Sequence, residues 1–165
     1  MLGRWAEPHI AMPHPNDHLT CQPMGLCSWQ FRLRGDRLQA TTRLHLMTEG
    51  GQLAVGHHDF AVQKDGVLSG RWLLLAGTEP LYAAQKRTPF HRTLQITGPF
   101  AAELRAVSPF TRAMELRSGE HRATLAPVHA FTRRAVVDGS WPDDRLVVFA
   151  FWLTTLLWRR AARDS

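Results

Sequence analysis

The sequence predicts a mainly β protein: a closed antiparallel β-barrel of about 11 to 12 short strands around a hydrophobic C-terminal helix. Three features point to it. From Trp29 onward apolar residues recur at every second position, turn residues fall about every ten residues, and Leu146 to Trp158 (LVVFAFWLTTLLW) is apolar on every side of a helix.

The chain opens without periodicity. Residues 1 to about 25 hold four of the ten prolines, so residues 1–28 are expected to form an irregular arm ahead of a single domain spanning 29–165. MLGRWAEPHI shows no apolar run after its one early arginine, which predicts a cytoplasmic protein or one held peripherally at the inner face of a membrane.

The alternation then begins. Trp29, Phe31 and Leu33 alternate with Gln30, Arg32 and Arg34. After Gly35-Asp36, a two-residue hairpin signal, Leu38, Ala40, Thr42, Leu44 and Leu46 share one face. Further turns are expected at Glu49-Gly50-Gly51, at Asp65-Gly66, and near Gly77, Pro89, Gly98-Pro99, Ser118-Gly119 and Asp138-Gly139. This is the spacing of a sandwich or barrel rather than of βαβ units. Ser108-Pro109-Phe110-Thr111-Arg112 and His129-Ala130-Phe131-Thr132-Arg133 share Phe-Thr-Arg; both read as equivalent strand starts.

The last element is a helix over about 143–162. Its apolar stretch, at 1.5 Å per residue, covers about 20 Å, short of the roughly 30 Å of a bilayer core. A helix with no polar face must be enclosed, and a sandwich has no place for one. A barrel with a helix through its middle both encloses it and removes the sheet edges. Asp143-Asp144 before the helix suit its positive end, and Arg159, Arg160 and Arg163 its negative end.

Composition bounds the function. A chain of 165 residues and 18.7 kDa, 44% hydrophobic with mean hydropathy −0.23, fits one ordinary globular domain. Two cysteines exclude a disulfide scaffold and favour a reducing compartment. The net charge of +6 is nearly all arginine, since Lys64 and Lys86 are the only lysines. Arginine holds phosphate or carboxylate in a bidentate fork, while a solvated surface explains the same charge without a ligand.

Catalytic and cofactor motifs are missing from the sequence: there is no Gly-x-Ser-x-Gly elbow, Walker loop or dinucleotide fingerprint. No cofactor and no catalytic residue is expected. His9, His14, His18, Cys21 and Cys27 are zinc-competent types without zinc spacing. His57 and His58 are strand neighbours that point to opposite faces. Arginines remain: Arg32, Arg34 and Arg43 share an outward face, and Gly35-Asp36 would make Arg34 and Arg37 cross-strand neighbours. Like charges so placed repel unless solvent or an anion screens them. Nucleic acid is disfavoured, because Trp29 and Phe31 lie on the inner face and leave no stacking platform beside the arginines.

The barrel with a central helix, together with GRWLLL at Gly70 to Leu75, SPFTR at Ser108 to Arg112 and FAFWLTTLLWRRAA at Phe149 to Ala162, resembles the tubby-like barrel superfamily: tubby C-terminal domains, phospholipid scramblases, LURP-one-related proteins and small bacterial members. The resemblance implies a roughly twelve-stranded barrel threaded by a hydrophobic C-terminal helix, and association with membrane lipid. The expectation is a non-enzymatic protein that binds an anionic lipid headgroup or a protein partner through Arg32, Arg34, Arg37 and Arg43. The alternative is a small membrane-associated subunit of a larger complex, anchored by its terminal helix.

Overall fold

A computed structural model describes residues 17–26, 28–89 and 91–165. Twelve strands follow one another: β1 (Asp17–Pro23), β2 (Gln30–Arg34), β3 (Gln39–Leu44), β4 (Gly51–Val55), β5 (His58–Lys64), β6 (Arg71–Ala76), β7 (Glu79–Lys86), β8 (Thr93–Thr97), β9 (Ala102–Ala106), β10 (Met114–Ser118), β11 (His121–Pro127) and β12 (Ala135–Gly139). Each pairs antiparallel with its neighbours in sequence, and β1 pairs with β12 to close the barrel. The chain ends in one helix, α1 (Asp144–Arg163).

Period-two burial builds the wall. In β2, Phe31 and Leu33 are buried while Arg32 and Arg34 are exposed; in β3, Ala40, Thr42 and Leu44 face inward. The helix fills the lumen: every residue from Leu146 to Leu156 is buried, in one core with the inward side chains of all twelve strands. Phe151 meets Phe31 edge-on at 5.3 Å between centroids and Trp158 at 6.4 Å. Trp152 Nε1 donates to the Arg43 carbonyl at 3.0 Å and Trp158 Nε1 to the Arg112 carbonyl at 2.8 Å, fixing the depth of the helix. Thr154 and Thr155 donate back to the carbonyls of Ala150 and Trp152, so no buried hydroxyl of the helix is unpaired. As an anchor the helix would need a lipid-facing side, and the barrel wall leaves it none. No described helix is long and apolar enough to cross a membrane.

The start of α1 is held by Asp143, whose carboxylate accepts from the Arg145 amide at 2.9 Å and from the Tyr82 hydroxyl at 2.7 Å. Burial opposes the charge, yet the bonds from Arg145 and Tyr82 hold the carboxyl below its usual range.

Three expectations are corrected. The barrel begins twelve residues before Trp29: β1 lies inside the stretch read as an irregular arm, and its inward Leu19 and Cys21 alternate with exposed His18, Thr20 and Gln22. Its short alternation is masked in the sequence by surrounding prolines. The β2–β3 hairpin turns one residue later than Gly35-Asp36. Gly35 N–H donates to the Leu38 carbonyl at 2.8 Å, which puts Asp36-Arg37 at the tip and Arg34 opposite Gln39. Glycine is needed at 35 for a different reason, because a Cβ there would lie 2.7 Å from the His18 carbonyl of β1. Leu46, expected inside, lies past the end of β3 and is exposed.

Candidate functional site

Arg32, Arg34, Arg37 and Arg43 are all exposed, but they do not form one cluster. Arg32 sits between Gln22 and Thr41, Arg34 between Thr20 and Gln39, and Arg43 between Gln30 and Gln52. Neutral polar neighbours thus remove the cross-strand repulsion that the expected Arg34 and Arg37 pair would have created. Arg37 is engaged elsewhere, donating to both carboxylate oxygens of Asp17 at 2.9 and 2.8 Å. Arg32 and Arg34 do come together: with Gln39, Thr41, Ala54 and Gly56 they border an open depression of about 180 Å³, hollow because Ala54 and Gly56 are small.

A second surface was not anticipated. In an antiparallel meander successive connections alternate between the two ends of the barrel. Here one end carries only short turns between strands (35–38, 56–57, 77–78, 98–101 and 119–120), and the other carries six long loops (24–29, 45–50, 65–70, 87–92, 107–113 and 128–134). The long-loop rim bears protruding apolar side chains. Leu26, Met47, Leu68, Phe110 and Phe131, on five different loops, are each at least 94% exposed. Among the described residues the short-turn end exposes one large apolar side chain, Phe100.

Arginine holds these loops in place. Arg112 donates to the carbonyls of Ala130 and Thr132 at 2.9 and 3.0 Å, and Arg133 to those of Ser28 at 2.7 Å and of Leu26. Arg159, at the end of α1, donates to the Leu46 carbonyl at 2.5 Å. The Phe-Thr-Arg echo therefore has a physical content: Phe110 and Phe131 protrude, Thr111 and Thr132 close tight turns onto Ser108 and His129, and each arginine grips the next loop around the barrel. Each arginine also lies over a tryptophan, Arg112 over Trp158 at 5.4 Å and Arg133 over Trp29 at 5.9 Å. The sequence holds a further signal of the same kind, Thr88-Pro89-Phe90-His91-Arg92 before β8, of which Phe90 lies outside the described residues.

The two ends also differ in charge. Asp17, Asp36, Asp59, Glu79, Glu120 and Asp138 lie at or beside the short turns, whereas both lysines lie at the long-loop mouth. There Glu49 is the only described non-glycine residue with positive φ, 53°, a conformation that costs about 1 kcal/mol or more. Its carboxylate accepts from Arg160 at 2.8 and 2.7 Å and from Lys64 at 2.7 Å. Both cations lie over the buried Trp72 ring, at 5.1 and 5.8 Å. The Arg160 bonds outweigh the cost of burial and, with Lys64, hold the Glu49 carboxyl at about 2. A carboxylate depressed in the folded state stabilises fully above its unfolded pKa of about 4.5, and that contribution fades as pH falls toward 2. Glu49→Gln is expected to lower stability at pH 7 by about 1 kcal/mol, after allowance for solvent screening. Denaturant titration should show the gap between parent and variant closing below pH 4.5; a gap that stays constant to pH 2.5 would show that charge is not its source.

The other chemical candidates separate. Cys21 is buried in the core, and burial pushes its thiol well up, away from thiolate chemistry. His18 bonds Asp138. His9, His14 and Cys27 lie outside the described residues. His57 lies within the two-residue turn at 56–57, not in a strand as expected, and His58 opens β5; both are exposed, and no metal-ligand cluster occurs among the described residues. Comparison with known protein families, with curated proteins and with solved structures gives no match.

Proposed function

We propose that this protein is a non-enzymatic barrel that docks on an anionic membrane surface through its long-loop rim. One observation carries the reading: five apolar tips from five loops stand almost fully exposed at one end, among basic side chains, four of them on loops that arginine bonds keep in shape. Separate tips on one rim suit a flat interface into which each enters a short way, while Arg87, Arg92 and Arg134 beside them meet headgroup phosphates. The acidic short-turn end would then face away from the membrane. A place in the tubby-like superfamily, which associates with membrane lipid, belongs to the same proposal. A second reading concerns the Arg32 and Arg34 depression: its open arginines, near the short turns, suit an acidic group on a protein partner reached from the aqueous side.

Vesicle sedimentation tests the first reading. The parent should bind phosphatidylcholine vesicles containing phosphatidylserine, less so as salt rises. Leu68→Ser with Phe110→Ser should weaken binding at least about tenfold, since each tip loses about 1 kcal/mol or more of apolar transfer. Binding equal to the parent in that variant, or no binding by the parent, overturns it.

A further inference from the structure

We propose that the mouth of the barrel, where the end of α1 lays Arg160 over Trp72 of β6, is a seat for a phosphomonoester, held by Lys86, Arg92 and Arg160. The seat deepens the docking reading by naming the headgroup chemistry at the centre of the rim.

The inward period-two rows of the wall do not end in apolar residues here. Phe60 and Val62 of β5 lead to Lys64, Tyr82 and Ala84 of β7 lead to Lys86, and Arg92 precedes the inward Leu94 and Ile96 of β8. Because α1 fills the lumen, these cations converge on its last turns instead of on a channel. Their stems lie along the wall and their heads reach the mouth, as Lys64 and Arg160 do over Trp72.

Charge there is unbalanced. The Glu49 carboxylate makes its short bonds to Arg160 and Lys64 alone, and Asp65 pairs with Arg71. Lys86 and Arg92 form no ion pair among the described residues; the Lys86 ammonium donates only to the Pro89 carbonyl, at 3.4 Å. Burial, and then the nearness of Arg160 and Arg92, lower the Lys86 pKa. Lys86 and Arg160 are half-buried and Arg92 is exposed beside them; an anion brought among them offsets their mutual repulsion.

A phosphomonoester fits best. It brings close to two negative charges and three strong acceptors, enough for an ammonium and two guanidinium groups, whereas a phosphodiester or carboxylate brings one charge. Lys86 and Arg92 flank the 87–92 connection, and Lys64 precedes the one at 65–70. Two sources share this chemistry, the headgroup of phosphatidic acid in a membrane and a small soluble phosphate ester.

Calorimetry with glycerol phosphate and sedimentation with vesicles of equal charge, containing either phosphatidic acid or phosphatidylserine, separate them. The parent is expected to bind glycerol phosphate, and to prefer phosphatidic acid vesicles at least about fivefold. Lys86→Gln with Arg92→Gln should weaken both at least about tenfold, with a melting temperature no lower than the parent's, while Arg32→Gln with Arg34→Gln should leave both as in the parent. Leu68→Ser with Phe110→Ser should lose vesicles but keep glycerol phosphate. Glycerol phosphate bound without any vesicle binding supports the seat and overturns the membrane as its source. No glycerol phosphate binding by the parent, or equal binding by the Lys86 and Arg92 variant, overturns the seat.

Discussion

Phe151→Ala is expected to destabilise the barrel by about 3 to 5 kcal/mol, a large part of the 5 to 15 kcal/mol that an ordinary domain has in total. The side chain is wholly buried near the centre of α1 and touches both the wall, through Phe31, and the helix two turns on, through Trp158. Removing it opens a void that neither neighbour can fill, since Phe31 is fixed by the sheet and Trp158 by its bond to Arg112. Denaturant unfolding followed by fluorescence checks this. A loss under 1 kcal/mol would mean that the helix is not packed in the lumen. Phe131→Ala, on the exposed rim, should leave stability within about 0.5 kcal/mol of the parent.

Gly51→Ala should have an effect nearly as large, about 2 to 4 kcal/mol. Gly51 faces the lumen where Trp152 crosses β3 and β4, and an added Cβ would collide with the Arg43 carbonyl and come within 2.5 Å of Trp152 Nε1. These two groups bond each other, so a single methyl separates a donor from its acceptor and pushes the helix off the wall. Gly56→Ala makes the control. Gly56 has a φ of +59° but open space around it, so only the backbone penalty of about 1 kcal/mol applies. Equal losses at the two positions would show that backbone conformation, not the approach of Trp152, sets the cost at Gly51.

The wall and the helix were legible in the sequence because both follow from periodicity. Phe31 and Leu33 beside Arg32 and Arg34 can only be a two-faced strand, and LVVFAFWLTTLLW can only be enclosed. β1 was hidden because its inward face is just Leu19 and Cys21 amid prolines. The turn at Asp36-Arg37 was misplaced by one residue because Gly35 is dictated by the approach of β1, a contact between strands that no local rule contains. The site was less legible. Outward parity located Arg32, Arg34 and Arg43 on one face, but not that Arg37 bonds Asp17. Leu26, Met47 and Leu68 are far apart in the sequence and carry no shared pattern, and only the meander brings them to one rim. The Phe-Thr-Arg echo was visible, yet its meaning depends on which loop each arginine reaches.

The most direct measurement is hydrogen exchange of the full chain with and without vesicles containing phosphatidic acid. Docking through the rim predicts slower exchange in residues 45–50, 65–70 and 107–113, with the turns at 56–57, 77–78 and 119–120 unchanged. Protection of the short turns or of β2 and β3 around Arg32 and Arg34, with the long loops unaffected, would contradict it.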